Sequence, residues 1–208
     1  MRTKSEEKRQ AIVDAAAAIF GEMGFERASM SEICARVGGS KATLYNYFAS
    51  KEDLFLEVIF QASEADFQNT LQALQHREGD VQATLERFGS QYLGLLYTPD
   101  VLAVRRLLVA QGGRSNIGRM CWEQGPRRGN AAIAAYLAHC MARGALRSAS
   151  PELAMRHLQA LLEAELFEIF LFQHVPMPEA PEIAACTQRA IAAFMQLYGP
   201  QPSAKNEA

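Results

Sequence analysis

The chain has 208 residues, 49% of them apolar, with 21 Lys and Arg against 23 Asp and Glu and a formal net charge of −2. That is enough apolar material for a small buried core and a larger one. Cys34, Cys121, Cys140 and Cys186 are scattered with no C-x-x-C pair, no apolar run approaches the ~20 residues of a membrane helix, and no signal peptide opens the chain. These features argue against a zinc centre, a secreted disulfide scaffold and a membrane partner, and a reducing cytoplasm is the expected setting.

In chain order, residues 1 to 7 are polar and read as a solvated terminus, with a basic arm formed by Arg2 and Lys4 as the alternative. Ile12, Ala16, Ile19, Phe20 and Met23 recur at helical spacing, and Gly24 is expected to stop this first helix, with Phe25 plugging a small core. Met30, Ile33, Cys34 and Val37 then share one face of a second, short helix. Gly38 ends it, because a residue without Cβ enters the left-handed conformation cheaply, and Gly39 prolongs the break. Ser40 is placed to cap a third helix whose Leu44 and Phe48 pack back on the second.

The other side of that third helix crowds Lys41, Thr43, Tyr45, Asn46 and Tyr47 into about two turns. Charge, hydroxyl, phenol and amide groups suit phosphate oxygens and base edges, and a helix carrying them fits the major groove of double-stranded DNA. The overall charge looks wrong for such a partner until it is divided. Residues 1 to 51 hold eight cations and six anions, a local +2, which leaves −4 on the remainder. Binding to DNA would accordingly be salt-sensitive.

Ser50, Lys51, Glu52 and Asp53 form an S-x-x-D start, with Lys51 left near the phosphate backbone. A long helix is expected from Ser50 to about Arg77, its inward side carrying Leu54, Val58, Ala62 and Ala65. Glu78-Gly79-Asp80 is a turn, and a helix follows from Val81 to Tyr97. Thr98-Pro99-Asp100 opens another, closing at Gly112-Gly113. Ile117 to Trp122 reads as a helical piece interrupted at Gly125-Pro126, and a second piece runs from Arg127 to Arg143. Ser150-Pro151-Glu152 starts a helix expected to reach Gln173 without interruption, and Ile183 to Tyr198 makes the last one. The tail after Pro200 is expected to be disordered.

The run SKATLYNYFASKEDLF, preceded by SMSEICARVG and by the Phe20-Gly21 and Gly24-Phe25 pairs, resembles the TetR family of bacterial transcriptional regulators. Ala42 stands where that family usually has Gly, and Gly39 where it usually has a small apolar residue. RRLLVAQGGR and YLAHCMARGAL resemble, more weakly, the C-terminal domain of one TetR subgroup. The resemblance implies an all-α fold: a helix-turn-helix DNA-binding domain over 1–50, a larger ligand-binding and dimerisation domain over 51–199, and a tail over 200–208. It also implies that Ser29 caps the second helix and touches phosphate.

A protein of this kind is expected to be a repressor that binds a palindromic operator as a homodimer, paired through the last two long helices, and is released by a small-molecule effector. A shift at the far end of the Ser50 helix would then be transmitted to the recognition helix. A wide apolar surface over Leu158 to Phe172 favours the same pairing. Trp122 lies beside the Gly125-Pro126 break, where helix ends open space. Phe67, Phe88, Tyr92, Trp122, Tyr136 and His139 are candidate effector contacts, with Gln91, Arg105 and Glu163 as polar anchors.

No H-E-x-x-H, Walker loop, G-x-S-x-G or Rossmann glycine pattern is present, so no enzyme activity, metal or cofactor is expected. A cytoplasmic ligand-binding protein that no longer binds DNA is the alternative left by Ala42 and Gly39.

Overall fold

The computed structural model describes residues 4–75, 78–111, 116–173 and 175–200. Among these the chain is all helix and connecting turn, with no strand. The helices are α1 (Lys4–Arg27), α2 (Met30–Val37), α3 (Lys41–Tyr47), α4 (Lys51–Gln72), α5 (Val81–Leu96), α6 (Pro99–Ala110), α7 (Ile117–Gln124), α8 (Pro126–Ala142), α9 (Pro151–Glu163), α10 (Phe167–Phe172) and α11 (Ala180–Tyr198). The all-α class expected from the periodicities is the one observed. The chain divides into two compact units, one within Met1–Glu64 and Val104–Cys121, the other within Ala65–Ala103 and Trp122–Ala208. Helices α4, α6 and α7 each run across the division.

In the first unit, Gly24 takes φ 78° and ψ 162° inside α1, so the helix kinks there and winds one further turn to Arg27 instead of stopping. The kink turns Phe25 toward Phe20 and Phe55, at ring-centroid distances of 6.0 and 4.7 Å, while Phe20 meets Phe55 edge-on at 5.2 Å. Ile12, Ala16 and Ile19 of α1, Ile33 of α2 and Leu54 of α4 are all buried beside them. Ser50 caps α4 by accepting from the Asp53 amide at 3.0 Å, as its S-x-x-D signature predicts.

A polar clamp adds to this packing. The Arg9 guanidinium donates to the Glu57 carboxylate at 2.7 Å, Gln61 donates to the same oxygen, and Gln10 donates to Gln61.

In the second unit, Leu85, Phe88 and Leu93 of α5, Leu137 of α8, Leu158 of α9 and Ile191 and Phe194 of α11 are buried to exclusion of solvent. Helix α11 packs on α5 and α9, and α9 on α8. Gly89 lets α5 approach closely: a Cβ there would lie 2.7 Å from the Thr187 methyl and 2.8 Å from a Leu162 methyl. The end of α11 is fastened by Tyr198, whose hydroxyl meets His157 Nδ1 at 2.6 Å and whose carbonyl accepts from the Arg147 amide at 2.9 Å.

Three expected boundaries move. Helix α4 ends at Gln72 and tightens into a 3-10 turn, Ala73–Gln75, while Arg77 lies outside the described residues. The uninterrupted helix from Ser150 to Gln173 is broken over residues 164–166, where the amides of Ala164 and Leu166 bond three residues back, to Leu161 and Glu163, instead of four. The tighter winding rotates α10, burying Leu166 and Phe170 and leaving Phe167, Leu171 and Phe172 exposed. Helix α11 begins at Ala180, three residues early, because Glu179 and Glu182 form a reciprocal cap. Arg2, the Gly112-Gly113 stop and residues 201–208 lie outside the described residues.

The Glu57 carboxyl sits below its ordinary range, chiefly because Arg9 donates to it, with Gln61 assisting and burial opposing. A carboxyl depressed by folding contributes stability above its ordinary range, and that contribution is lost as pH falls through the lowered value. Glu57→Gln is expected to cost roughly 0.5–1 kcal/mol at neutral pH, a modest loss for a partly exposed pair. The difference from the parent should vanish in acid, as measured by urea unfolding across pH.

Candidate nucleic-acid interface

The interface is built outward from the turn between α2 and α3. Ser29, extended at φ −128° and ψ 151°, caps α2: its hydroxyl accepts from the Glu32 amide at 3.2 Å and donates to the Glu32 carboxylate, which itself accepts from the Ser29 amide. Gly38 closes α2 at φ 69° and ψ 46°, and the amides of Gly38 and Gly39 both donate to the Cys34 carbonyl. The Cys34 thiol donates to the Gly39 carbonyl at 3.0 Å, so one residue engages the turn from both sides. Ser40 then caps α3 by accepting from the Thr43 amide at 3.1 Å.

With only seven residues, α3 is too short to hold itself helical. Leu44 and Phe48, 3% and 5% exposed, anchor it. The face turned away from them carries Lys41, Tyr45 and Asn46, all exposed, with Thr43 and Tyr47 half-buried. Thr43 Oγ1 lies 2.9 Å from Ser40 Oγ, and the Tyr47 hydroxyl lies 3.5 Å from Ser5 on α1. Five of the seven expected DNA contacts therefore share one short helix.

The other two differ. The Ser29 hydroxyl already serves the cap, and its hydrogen points to Glu32. Lys51, expected to reach phosphate, turns inward: its ammonium donates to the carbonyls of Phe25 at 2.8 Å, Glu26 at 3.3 Å and Ala28 at 3.1 Å, and lies 4.3 Å from the Phe25 ring centroid. The physical reason is that Phe25 and Glu26 lie in the last turn of α1 beyond the Gly24 kink, and Ala28 just past it, where carbonyls lack helical partners. Other cations are similarly engaged. Arg36 holds Glu22 through both its terminal nitrogens at 2.7 and 2.9 Å, Arg9 holds Glu57, and Arg27 donates to the Met23 carbonyl. Lys41, exposed on α3, makes no ion pair among the described residues.

Comparison with known proteins agrees with this geometry. Residues 12–58 match the family model of bacterial regulatory proteins, tetR family, and residues 83–200, more than half the chain, match the AefR-like transcriptional repressor C-terminal domain. The chain is a TetR-family transcriptional regulator. Over 100 residues it is 37% identical to the HTH-type transcriptional regulator UidR of Escherichia coli (strain K12), which takes in 45% of this chain and 51% of UidR. The chain thus spans about half the length of the curated relatives it matches.

Over nearly the whole chain, the regulator resembles a Mesorhizobium loti protein assigned to the TetR family, with a TM-score of 0.80, 27% identity, and coverage of 95% of this chain and 100% of that one. The flavonoid-responsive regulator FrrA gives a TM-score of 0.67 at 27% identity, over 94% of this chain and 99% of FrrA.

Eight of the nine expected effector residues of this TetR-family chain belong to the second unit. Phe88 and Tyr136 are core residues, 0% and 2% exposed, and burial pushes the Tyr136 phenol up to about 12. Phe88 stacks on Tyr92 at 5.6 Å, Phe67 lies under the Arg128 guanidinium at 4.9 Å, and Glu163 accepts from the Tyr97 hydroxyl at 3.4 Å. Gln91 is exposed and His139 half-buried. Arg105 belongs to the first unit.

An open groove of about 740 Å³ in the second unit runs between Asn130, Ala131, Ala134, Ala135 and Ala138 of α8 and Pro151, Glu152, Met155 and Arg156 of α9, with Trp122 at its edge. Trp122 lines it; its walls contain none of the other eight. Tyr92 is linked to it at one remove, because Gln159 donates to both the Tyr92 hydroxyl and the Asn130 side chain. Asn130, Arg156 and Gln159 had no distinguishing sequence signal, since only the crossing of α8 and α9 brings them together.

The left-handed Gly38 is the point where substitution tests this geometry most cleanly, because a Cβ there meets nothing within 4 Å and any cost is conformational. Gly38→Ala is expected to lower stability by about 1 kcal/mol, read as a lower urea midpoint at unchanged slope.

Proposed function

We propose that this TetR-family regulator is a cytoplasmic repressor that binds a palindromic operator as a homodimer and is released by a small apolar or aromatic molecule. The observation that carries the reading is the exposed polar and aromatic face of α3, held out by two buried anchors. In this reading Lys41, Tyr45 and Asn46, with Thr43 and Tyr47 at their flank, meet base edges and phosphates in the major groove. Residues 1–50 act as the DNA-binding domain and 51–199 as the domain for effector and partner. The description of the matched C-terminal domain as that of a repressor supports the direction of regulation.

The dimer would pair through α9, α10 and α11, where Leu153, Phe167, Leu171, Phe172 and Leu197 remain exposed. Two-fold symmetry then places two α3 helices on successive half-sites, and an effector that favours a different spacing lowers operator affinity. The effector would enter beside Trp122, and FrrA, flavonoid-responsive by its name, supports an aromatic class.

A gel-shift titration against DNA flanking the regulator's own gene, at two salt concentrations, tests the central reading. Tyr45→Ala should weaken specific retardation at least tenfold, the scale of one base contact of about 1.4 kcal/mol, while gel filtration still shows the dimer. Parent-like binding by Tyr45→Ala would remove that residue from the interface. Absence of salt-sensitive binding by the parent, there and on selected random oligonucleotides, would favour a ligand-binding protein without DNA.

The one tryptophan of the chain reports on the other half of the reading. Trp122 emission is expected to be quenched saturably by a flavonoid that also releases DNA, and release without a change in emission would place the effector elsewhere.

A further inference from the structure

We propose that Lys51 is a positioning residue, a latch that sets α2 and α3 for DNA from the inside, and not a phosphate contact; the proposal rests on the DNA-binding reading above. An ammonium has three N–H donors. Those of Lys51 face three acceptors, the carbonyls of Phe25, Glu26 and Ala28, at 2.8 to 3.3 Å. These carbonyls lie just past the Gly24 kink, at the negative end of α1, where a cation is favoured. The Phe25 ring, 4.3 Å from the nitrogen, adds its face to the same seat.

The place of the seat matters. Ala28, 3% exposed, is followed directly by Ser29, the cap of α2, and α2 leads through the Gly38 turn to α3. Lys51 is the first residue of α4, so it ties the start of α4 to the start of α2. One turn further along α4, Phe55 packs on Phe25, and the tie and the ring cluster hold the same junction. To hydrogen-bond a phosphate, the ammonium would have to abandon these carbonyls, those of Phe25 and Ala28 held in part-buried bonds.

The seat is specific for a compact ammonium. Three carbonyls converging on one nitrogen match a tetrahedral donor, whereas the guanidinium of arginine is a planar fork. At a phosphate the preference reverses, because arginine binds phosphate as well as lysine or better. Lys51→Arg therefore separates the two roles.

The test uses the full chain and a duplex operator selected by the parent from random oligonucleotides, titrated over a salt series with the parent, Lys51→Arg, Lys51→Met and Lys41→Met. Both Lys51 variants are expected to bind about tenfold more weakly at every salt concentration, with the parent's slope of affinity against salt. Lys41→Met, removing an exposed cation, should reduce that slope by about 0.9. In the DNA-free protein, hydrogen exchange across residues 25–30 should accelerate in both Lys51 variants and stay unchanged in Lys41→Met. Parent-like affinity of Lys51→Arg, with a slope for Lys51→Met reduced by about one counterion, would overturn the latch and make Lys51 a phosphate contact. Should the parent show no salt-sensitive DNA affinity, the DNA-binding reading falls, and exchange alone decides the latch: unaltered protection across 25–30 overturns it.

Discussion

The brevity of α3 is the constraint on which the first unit depends. Seven residues form too few internal hydrogen bonds to repay helix nucleation, so α3 exists only because its surroundings hold it. Ser40 supplies a cap, Leu44 and Phe48 supply buried anchors, and the left-handed Gly38 aims the chain into its first turn. Cys34 steadies that aim by accepting from the two glycine amides and returning its own thiol hydrogen to Gly39. A surface made this way leaves Lys41, Tyr45 and Asn46 exposed on the side away from the anchors.

Charge tells a related story. The formal excess of cations over residues 1–51 is a property of composition, whereas the field at the surface depends on where each charge is directed. Arg36, Arg9, Arg27 and Lys51 hold carboxylates or carbonyls within the unit. The exposed face of α3 is consequently more phenol, amide and hydroxyl than cation, a chemistry suited to reading base edges as well as to tracking a backbone.

The second unit inverts the relation between aromatic side chains and site. Phe88 and Tyr136 are aromatic because a bundle of four packed helices needs large side chains at its centre, and the closeness that Gly89 permits between α5 and its neighbours leaves them surrounded. On the α8 side the open groove is lined mainly by alanines, whose small side chains leave space against α9.

The amino-acid sequence by itself determined the elements and their punctuation. Helical spacing, the capping residues Ser40, Ser50 and Ser150, and the left-handed Gly38 act within a few residues of chain, so they were legible without knowing the fold. The polar face of α3 was legible for the same reason. Only the tertiary structure decided the matters settled between distant residues: the inward turn of Lys51 toward carbonyls more than twenty residues earlier, the break at 164–166 where no Gly or Pro stands, and the placing of Arg105 with the first unit. A long polar side chain takes the nearest unsatisfied partners that folding brings to it, and a local reading has no access to which partners those are.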